Sequence, residues 1–365
     1  MPSRNVLFGV NQELRRQAQG LVTCIRIDGL LTEQVHHLTK GSWSQLRCLD
    51  LTDRCLSFSS APQLSNSSAA QLNNKVRPMF SVTNASGYTY DTLFDPRENV
   101  FPQFQGKWPL LESLTVTLYT MDIAQVTALA EIDWPRLQTL CIEPEDDAIP
   151  ALMVGNWPRL KDLSIGNGLG NTAFKHLSSL PWSTLQRLQL TIGQASPSGM
   201  YSLIQAHLPQ LRELSFVDVL WYTDGEGQVS DEDCFAMLAQ ANWPLLSKLE
   251  LTGVDASHEG IRHLVTGQWP MLQTVTLEDF DIIDRDVPLL VQAHWPNIQN
   301  LTLVGHGYLE HMEVLDICMH KWPAMQTLKL RIDTDQANNV GMSNMARNRW
   351  PSLDLQLISH IDLLQ

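Results

Sequence analysis

The chain has 365 residues, of which 44% are apolar and 7% aromatic, and its formal net charge is −14. This length accommodates one large domain or two compact ones, and the composition is ordinary for a soluble protein. An acidic chain has no general attraction for phosphate backbones or anionic lipids, so we expect neither nucleic acid nor a membrane surface as partner. The sequence contains no run of 18 apolar residues, so it predicts no transmembrane helix.

The N-terminal residues 1–20 are polar, and we expect them to form a cap. They contain no apolar run of the length that a secretory signal requires. The six cysteines are scattered singly and form no CxxC pair. Together with the missing signal, this pattern predicts a cytoplasmic protein with free, mostly buried thiols.

A tryptophan slot recurs along the chain and is the main signal of its organisation. Eight tryptophans precede a proline, two precede a serine, and Leu208 fills the same slot before Pro209. From Trp108 onward the slot recurs at spacings of 26, 23, 25, 26, 35, 26, 26, 27 and 28 residues. Ten of the eleven tryptophans occupy it. Self-similarity at a fixed period predicts a repeat architecture.

Each slot is followed by apolar residues at +3, +6 and +8, counted from the tryptophan. In WPLLSKLEL these are Leu246, Leu249 and Leu251, and the alternation at +6 and +8 predicts a short half-buried strand. Helix-spaced apolar residues come next, such as Ile261 and Leu264. Because a helix cannot easily continue into a proline, Trp-Pro marks the turn from each helix into the next strand.

Twelve such units can be counted. A unit without tryptophan begins the array at Val22, Ile25 and Ile27. The last unit, in residues 351–365, places its strand leucines one position earlier and forms a C-terminal repeat and cap. Repeat arrays need polar caps, and the sequence ends soon after this strand, so either its last segment folds over the end or the end pairs with another molecule. We expect a monomer, with end-to-end association of arrays as the alternative.

A first insertion, residues 53–104, lengthens the spacing between Trp43 and Trp108. Its first part is rich in Ser, Asn, Ala and Gln, which predicts a flexible linker or flap, with a partner-contacting loop as the alternative. The more apolar stretch around Phe80 and Val82 is interpreted as a degenerate repeat unit.

A second, smaller insertion covers residues 218–235. It contains the adjacent aromatic residues Trp221 and Tyr222 within an acidic stretch. Such a pair favours contact with a partner protein, because aromatic side chains dominate binding energy at interfaces. Two alternatives stay open: the loop folds onto its own repeats, or the segments DGEG and DED bind a metal without the spacing of an EF-hand.

The repeated LxxLxL strand followed by a short helix resembles the leucine-rich repeat. The segment Leu251–Leu272 is most similar to the cysteine-containing subclass of about 26 residues, with Trp269 before proline where that subclass has cysteine. Val254 stands where its turn cysteine or asparagine would be. The resemblance implies an α/β fold and one domain over residues 1–365. It further implies a curved leucine-rich-repeat solenoid of about 12 repeats, with an inner parallel β-sheet and short outer helices.

The positions +5, +7 and +9 of each unit point away from the core, and we call them the polar face. They are mostly small and polar, with much threonine, so solvated strand surface is one interpretation. Charge concentrates in the middle of the array, and a basic pair lies near its end. With the aromatic pair of the second insertion, these charged residues are the predicted partner-binding set: Trp221, Tyr222, Arg187, Glu213, Lys248, Glu250, Lys329 and Arg331.

The sequence contains none of the GxSxG, P-loop, HExxH or GxGxxG motifs, so we expect no enzyme, cofactor or metal. The favoured function is a non-catalytic scaffold that binds an unidentified protein through the concave sheet face and the adjacent insertions. One alternative is a substrate-recognition or adaptor subunit of a ubiquitin ligase, although residues 1–20 are too short for the F-box that many proteins of the resembled subclass carry. Others are an effector that acts in host cells, and an enzyme with its site in residues 53–107.

Overall fold

The computed structural model describes residues 24–28, 43–52, 80–83, 89–92, 108–179, 182–193, 196–217, 231–253, 257–278, 284–304, 317, 322–332, 346, 348, 350 and 352–359. Within these residues the backbone follows a repeated order of strand, connection and short helix.

Twelve of the described strands form a parallel sheet in which the strand order follows the chain order, and two others form a separate pair. In chain order the strands are β1 (Cys24–Asp28), β2 (Cys48–Thr52), β3 (Phe80–Thr83), β4 (Thr89–Thr92), β5 (Ser113–Met121), β6 (Thr139–Pro144), β7 (Asp162–Leu169), β8 (Arg187–Ile192), β9 (Glu213–Val217), β10 (Lys248–Thr252), β11 (Thr274–Glu278), β12 (Asn300–Val304), β13 (Thr327–Ile332) and β14 (Asp354–Ser359).

Short helices connect many of these strands. The α-helices are α1 (Ile123–Ala130), α2 (Asn171–Leu177), α3 (Pro197–Ile204), α4 (Asp231–Ala239), α5 (His258–Leu264) and α6 (Val287–Gln292), and two 3-10 helices cover Asp146–Val154 and Asp284–Asp286. The predicted helix before Trp269 is confirmed as α5, and its Ile261 and Leu264 are fully buried. The Ser257 hydroxyl caps it by accepting the Gly260 N–H at 3.1 Å.

The chain divides into two compact units. The first comprises Met1–Leu160 with Ile165–Asn167, and the second comprises Lys161–Ser164 with Gly168–Gln365. In the first unit β1 pairs with β2, β2 with β5, and β5 with β6. In the second unit the strands from β8 to β14 pair in succession, each parallel to the next.

A tight turn at the tryptophan slot starts each of the eleven repeats that contain this slot. The carbonyl of the slot residue accepts the N–H of the +3 residue, as from Leu246 to Trp243 at 3.1 Å, and this bond occurs in all eleven slots. Proline suits the second position of such a turn because its fixed φ matches the required backbone. The turn also carries the +3 residue into the core, where Leu111 and Leu246 have no exposed surface.

The turn has the same length in most repeats, so equivalent positions meet across the sheet. Leu249 and Leu251 of β10 pair with Val275 and Leu277 of β11, and all four are 0–1% exposed. The predicted alternation at +6 and +8 is therefore confirmed. The shift in the last unit is confirmed too, because Leu355, at +5, pairs with the +6 residue of β13.

The slot tryptophans lie in the core, as expected for a structural ladder. Trp243, Trp269 and Trp295 are each 1% exposed. The Trp269 ring folds back over the second residue before it, because a Cβ on Gly267 would lie 2.5 Å from ring carbons Cη2 and Cζ3. Gly155 stands in the same relation to Trp157, at 2.8 Å from Cη2. At these two slots the ring therefore occupies the space that a side chain on the glycine would need.

A buried hydrogen bond joins two neighbouring repeats at their helices. His258, the first residue of α5, contacts the Asp286 carboxylate with its Nδ1 at 2.6 Å from Oδ1. Asp286 ends the 3-10 helix before α6 and is 2% exposed, whereas the His258 side chain is 29% exposed. The carboxylate partner of His258 lies 28 residues away in the chain.

The described residues of the first insertion form two strands outside the parallel sheet. Strands β3 and β4 pair antiparallel, with Phe80 opposite Thr92, in a sheet of their own. Strand β2 pairs directly with β5, so β3 and β4 contribute no strand to the parallel sheet. The interpretation of Phe80 and Val82 as part of a degenerate repeat is therefore wrong. Short apolar runs fit a hairpin as well as a repeat strand, and pairing decides between them.

Substituting Gly267 by Ala should lower the free energy of unfolding by about 1–3 kcal/mol, because the new methyl group meets the buried Trp269 ring. Urea unfolding followed by circular dichroism measures this difference. The control is Gln268→Ala at the exposed next residue, which we expect to change stability by less than about 0.5 kcal/mol. Equal effects of both variants would refute the steric explanation.

Substituting His258 by Ala should cost about 1–3 kcal/mol of stability, because the Asp286 carboxylate loses this hydrogen bond while staying buried. The matched control is Glu259→Ala, which breaks the exposed ion pair with Arg262 one residue later, and we expect it to cost less than about 1 kcal/mol. Thermal or urea unfolding of both variants measures the difference. A loss no larger than that of the control would count against a structural role for His258.

Candidate functional site

The candidate site is the polar face of the second unit, on strands β8, β9 and β10. Apolar residues at +6 and +8 point into the core, so the residues at +5 and +7 are held on the opposite side of each strand. The in-register pairing places Arg187 beside Glu213 and Glu213 beside Lys248. Four of the predicted partner-binding residues, these three and Glu250, are therefore brought together.

Arg187 is the centre of a cross-strand charge cluster. Its guanidinium donates through Nη2 to the Asp162 carboxylate on the preceding strand. Its Nη1 lies 3.8 Å from Oε1 of Glu213 on the following strand. The hydrogen bond to Asp162 raises the pKa of Arg187, and the charge of Glu213 adds to the effect, although partial burial opposes it. Asp162 thus completes the cluster.

Two further ion pairs continue the charge pattern. Lys248 Nζ lies 2.8 Å from Oε2 of Glu250 on its own strand, and Lys329 Nζ lies 3.5 Å from Oε1 of Glu278. Strands β11 and β13, which carry Glu278 and Lys329, are separated by β12. Two pairs thus lie within the predicted set, Arg187 with Glu213 and Lys248 with Glu250, whereas Lys329 pairs with Glu278 outside that set.

Sequence reasoning missed Asp162 and Glu278 as members of the site. Both stand at polar-face positions, Asp162 at +5 after Trp157 and Glu278 at +9 after Trp269. Comparing charges down one column of the repeat would have found Asp162, because Asp162, Arg187, Glu213 and Lys248 alternate in sign at +5.

For three residues of the predicted partner-binding set, the structure does not describe the side chain. Trp221 and Tyr222 lie outside the described residues. Arg331 lies in strand β13, but its side chain is outside the described set. Their role in partner binding stays a prediction.

The first unit holds a half-buried carboxylate on its polar face. Glu143, at +9 of its repeat, lies over Gly166, where a Cβ would come 2.9 Å from the Glu143 Cγ. Burial raises the pKa of Glu143 above its ordinary value of 4.5. Burial also raises the pKa of Glu145, aided by the nearby charges of Asp147 and Asp122.

The cysteines differ from the sequence expectation in one respect. Cys234 is buried and Cys48 and Cys141 are half-buried, but Cys24 is exposed, so the expectation of mostly buried thiols is wrong for Cys24. None of these four cysteines forms a disulfide.

Within the described ranges, no three His, Cys, Asp or Glu side chains come together in a way that could hold a metal ion. No helix in that part of the chain combines the length and the apolar character needed to cross a bilayer. The arrangement of the polar face offers hydrogen bonds and paired charges to a macromolecular surface.

Replacing Glu143 by Gln should raise the melting temperature at about pH 7.5 and leave it nearly unchanged at about pH 4. The folded-state pKa of Glu143 is raised by burial, so its ionisation opposes folding above that pKa. The penalty disappears as the pH falls through the folded-state pKa towards 4.5, because the folded protein then takes up the proton. Thermal unfolding across this pH range tests the sign. Glu131→Gln, at the exposed C-cap of α1, is the control, and an equal gain there would contradict the burial argument.

Comparison with known proteins finds no matching family model. No curated protein matches the sequence. Among solved structures, an internalin (inlF) from Listeria monocytogenes is 11% identical with a TM-score of 0.38, over 97% of this chain and 92% of that chain. A protein from Bacteroides fragilis is 13% identical with a TM-score of 0.38, over 61% and 77% of the two chains. At these values neither match bears on the function.

The repeated strand, turn and short helix around the parallel sheet are the α/β fold of a leucine-rich-repeat solenoid.

Proposed function

We propose that the protein is a non-catalytic scaffold whose polar face binds another protein. The observation that supports this is the alternating row Asp162, Arg187, Glu213 and Lys248 on adjacent strands. The row lies on a face that is otherwise mostly small and polar.

The charges of this row contribute little to folding. The Arg187 side chain is 55% exposed and that of Lys248 is 39% exposed. Exposed ion pairs are typically worth about 0–1 kcal/mol, because solvent screens them and the side chains lose freedom. The stability of the fold therefore does not explain why these charges alternate along the row. Charges of alternating sign provide specificity towards a complementary surface.

The chemistry of the face favours a protein over a nucleic acid. Among its described side chains, cations and anions are paired and form no basic stripe for a phosphate backbone. The described +5, +7 and +9 positions carry no aromatic residue, so hydrogen bonds and charge must supply much of the affinity. Binding should therefore weaken as salt concentration rises. An additional aromatic anchor at Trp221 and Tyr222 is part of the proposal on sequence grounds.

A pair of charge-neutralising variants tests the proposal. Arg187→Gln with Lys248→Gln should weaken partner binding at least tenfold, about 1.4 kcal/mol, while stability changes by less than about 1 kcal/mol for each ion pair. Lys175→Gln with Arg262→Gln removes the same charge from exposed positions on α2 and α5 and should leave affinity unchanged. The partner is isolated by quantitative affinity purification with the wild-type chain, and its Kd for each variant is measured by calorimetry.

Equal affinity of the two double variants would show that the polar face is not the binding surface. Failure of the wild-type chain to retain any stoichiometric protein would count against a scaffold function. Ubiquitin-ligase subunits among the retained proteins would assign the more specific role of ligase adaptor.

A further inference from the structure

Cys24 and Cys48 occupy corresponding positions on the first two strands of the sheet. The register of β1 and β2 pairs Cys24 directly with Cys48. Leu49 and Leu51, on either side of Asp50, are 0–1% exposed, so Cys48 lies on the polar face with Asp50. Cys24 is exposed and Cys48 half-buried. The two thiols are therefore neighbours on the polar face, and Cys24 is the more accessible of the two.

The spacing of the strands allows a bond between the two sulfur atoms. Adjacent strands lie about 4.8 Å apart, and disulfides join residues whose Cα atoms are roughly 4.4–6.8 Å apart. The Cys24 thiol is close enough to raise the pKa of Cys48. Paired residues of parallel strands project their Cβ atoms side by side, and a disulfide draws Cβ atoms to about 3.8 Å. Forming the bond would thus pull the strands together locally, which makes the disulfide easy to reduce.

The two thiols differ in reactivity. Burial raises the pKa of Cys48 to about 12, and the hydrogen bond and charge of Cys24 add to this effect. Cys48 is therefore protonated near neutral pH. The exposed Cys24 is the thiol that an external reagent meets first, because exchange requires access to the sulfur.

We propose that Cys24 and Cys48 form a reversible disulfide that links β1 to β2, by exchange with a low-molecular-weight disulfide such as glutathione disulfide. This modification site is independent of the proposed partner binding.

The exchange proceeds in two balanced steps. The Cys24 thiolate attacks one sulfur of the reagent, the reagent S–S bond breaks, and one glutathione thiolate leaves. Cys48 then gives its proton to solvent and attacks Cys24 Sγ, and the second glutathione leaves as its thiolate. Once Cys24 is in the mixed disulfide, its charge and hydrogen bond no longer raise the pKa of Cys48, which favours the second step. Two protein thiols are oxidised and one reagent disulfide is reduced to two thiols.

Oxidation would act on the first strand of the sheet. In the strand order β1 stands at the end, next to β2. An edge strand with one described neighbour opens more readily than an interior strand, since local stability depends on surrounding contacts. The disulfide would hold β1 to β2 when backbone hydrogen bonds open transiently, so the redox state would set how tightly this strand is retained.

The full-length chain is equilibrated in glutathione redox buffers, its remaining thiols are trapped by alkylation, and its peptides are mapped by mass spectrometry. We expect one disulfide between Cys24 and Cys48 that dithiothreitol reverses, with slower deuterium exchange across Cys24–Asp28 in the oxidised form. Cys141→Ser, which removes another polar-face thiol, is the matched control and should give the same result.

Single variants separate a linked pair from two independent thiols. In Cys48→Ser the mixed disulfide with glutathione should persist on Cys24, because no second thiol resolves it. In Cys24→Ser, Cys48 should stay reduced, because it is half-buried and protonated. Stable glutathione adducts on both cysteines of the wild-type chain, a disulfide from Cys24 to another cysteine, or no oxidation at either residue would overturn the proposal.

Discussion

The hydrogen bond from the +3 N–H to the slot carbonyl fixes the rest of the structure. It closes a turn of constant length at each tryptophan slot, and the strand follows directly. The carbonyl at +4 then accepts two N–H groups of the next repeat, as Glu112 does from Gln138 at 2.7 Å and from Thr139 at 3.0 Å. Repeats that share this pair of bonds therefore start in the same register relative to their neighbours. The alternation of a β-strand converts that register into one apolar side and one polar side.

The tryptophan in the slot brings both stability and a local constraint. Burying such a ring removes roughly 150–250 Å² from water, worth about 4–6 kcal/mol at about 25 cal/mol per Å². For Trp243, Trp269 and Trp295, the indole N–H finds no acceptor among the described residues, and such a group costs about 1–3 kcal/mol. The apolar term is larger, so the ring is retained. The last slot avoids this cost, since Trp350 Nε1 donates to the Trp322 carbonyl at 2.9 Å.

The apolar and polar sides of the strands divide stability from function. The apolar side and the turns hold the repeats together, so its residues vary little in size from one repeat to the next. The polar side tolerates any side chain that suits a strand, and it carries the features that differ between repeats. In the second unit these are the ion pairs around Arg187. In the first unit they are the adjacent thiols of Cys24 and Cys48 and the half-buried carboxylate of Glu143.

The sequence by itself determined the architecture, because a repeat imposes local rules that each segment obeys. The slot spacing predicted the strands, the core positions, the polar face and the shifted register of β14, and the structure confirms them. The same column rule also places Cys24 and Cys48 at one position of adjacent units. Their proximity escaped the sequence argument because the cysteines were compared along the chain and not across repeats.

Only the tertiary structure decided which side chains meet. The pairing of Lys329 with Glu278 joins two strands that are not adjacent in the sheet, and His258 reaches Asp286 between two helices. Such choices depend on side-chain reach and burial, which residue spacing does not encode. The pairing of β3 with β4 likewise depends on contacts between strands, since a short apolar run has no preferred partner of its own. The repeat pattern of the sequence thus predicts the backbone of each unit, whereas the folded geometry sets which side chains of different repeats contact each other.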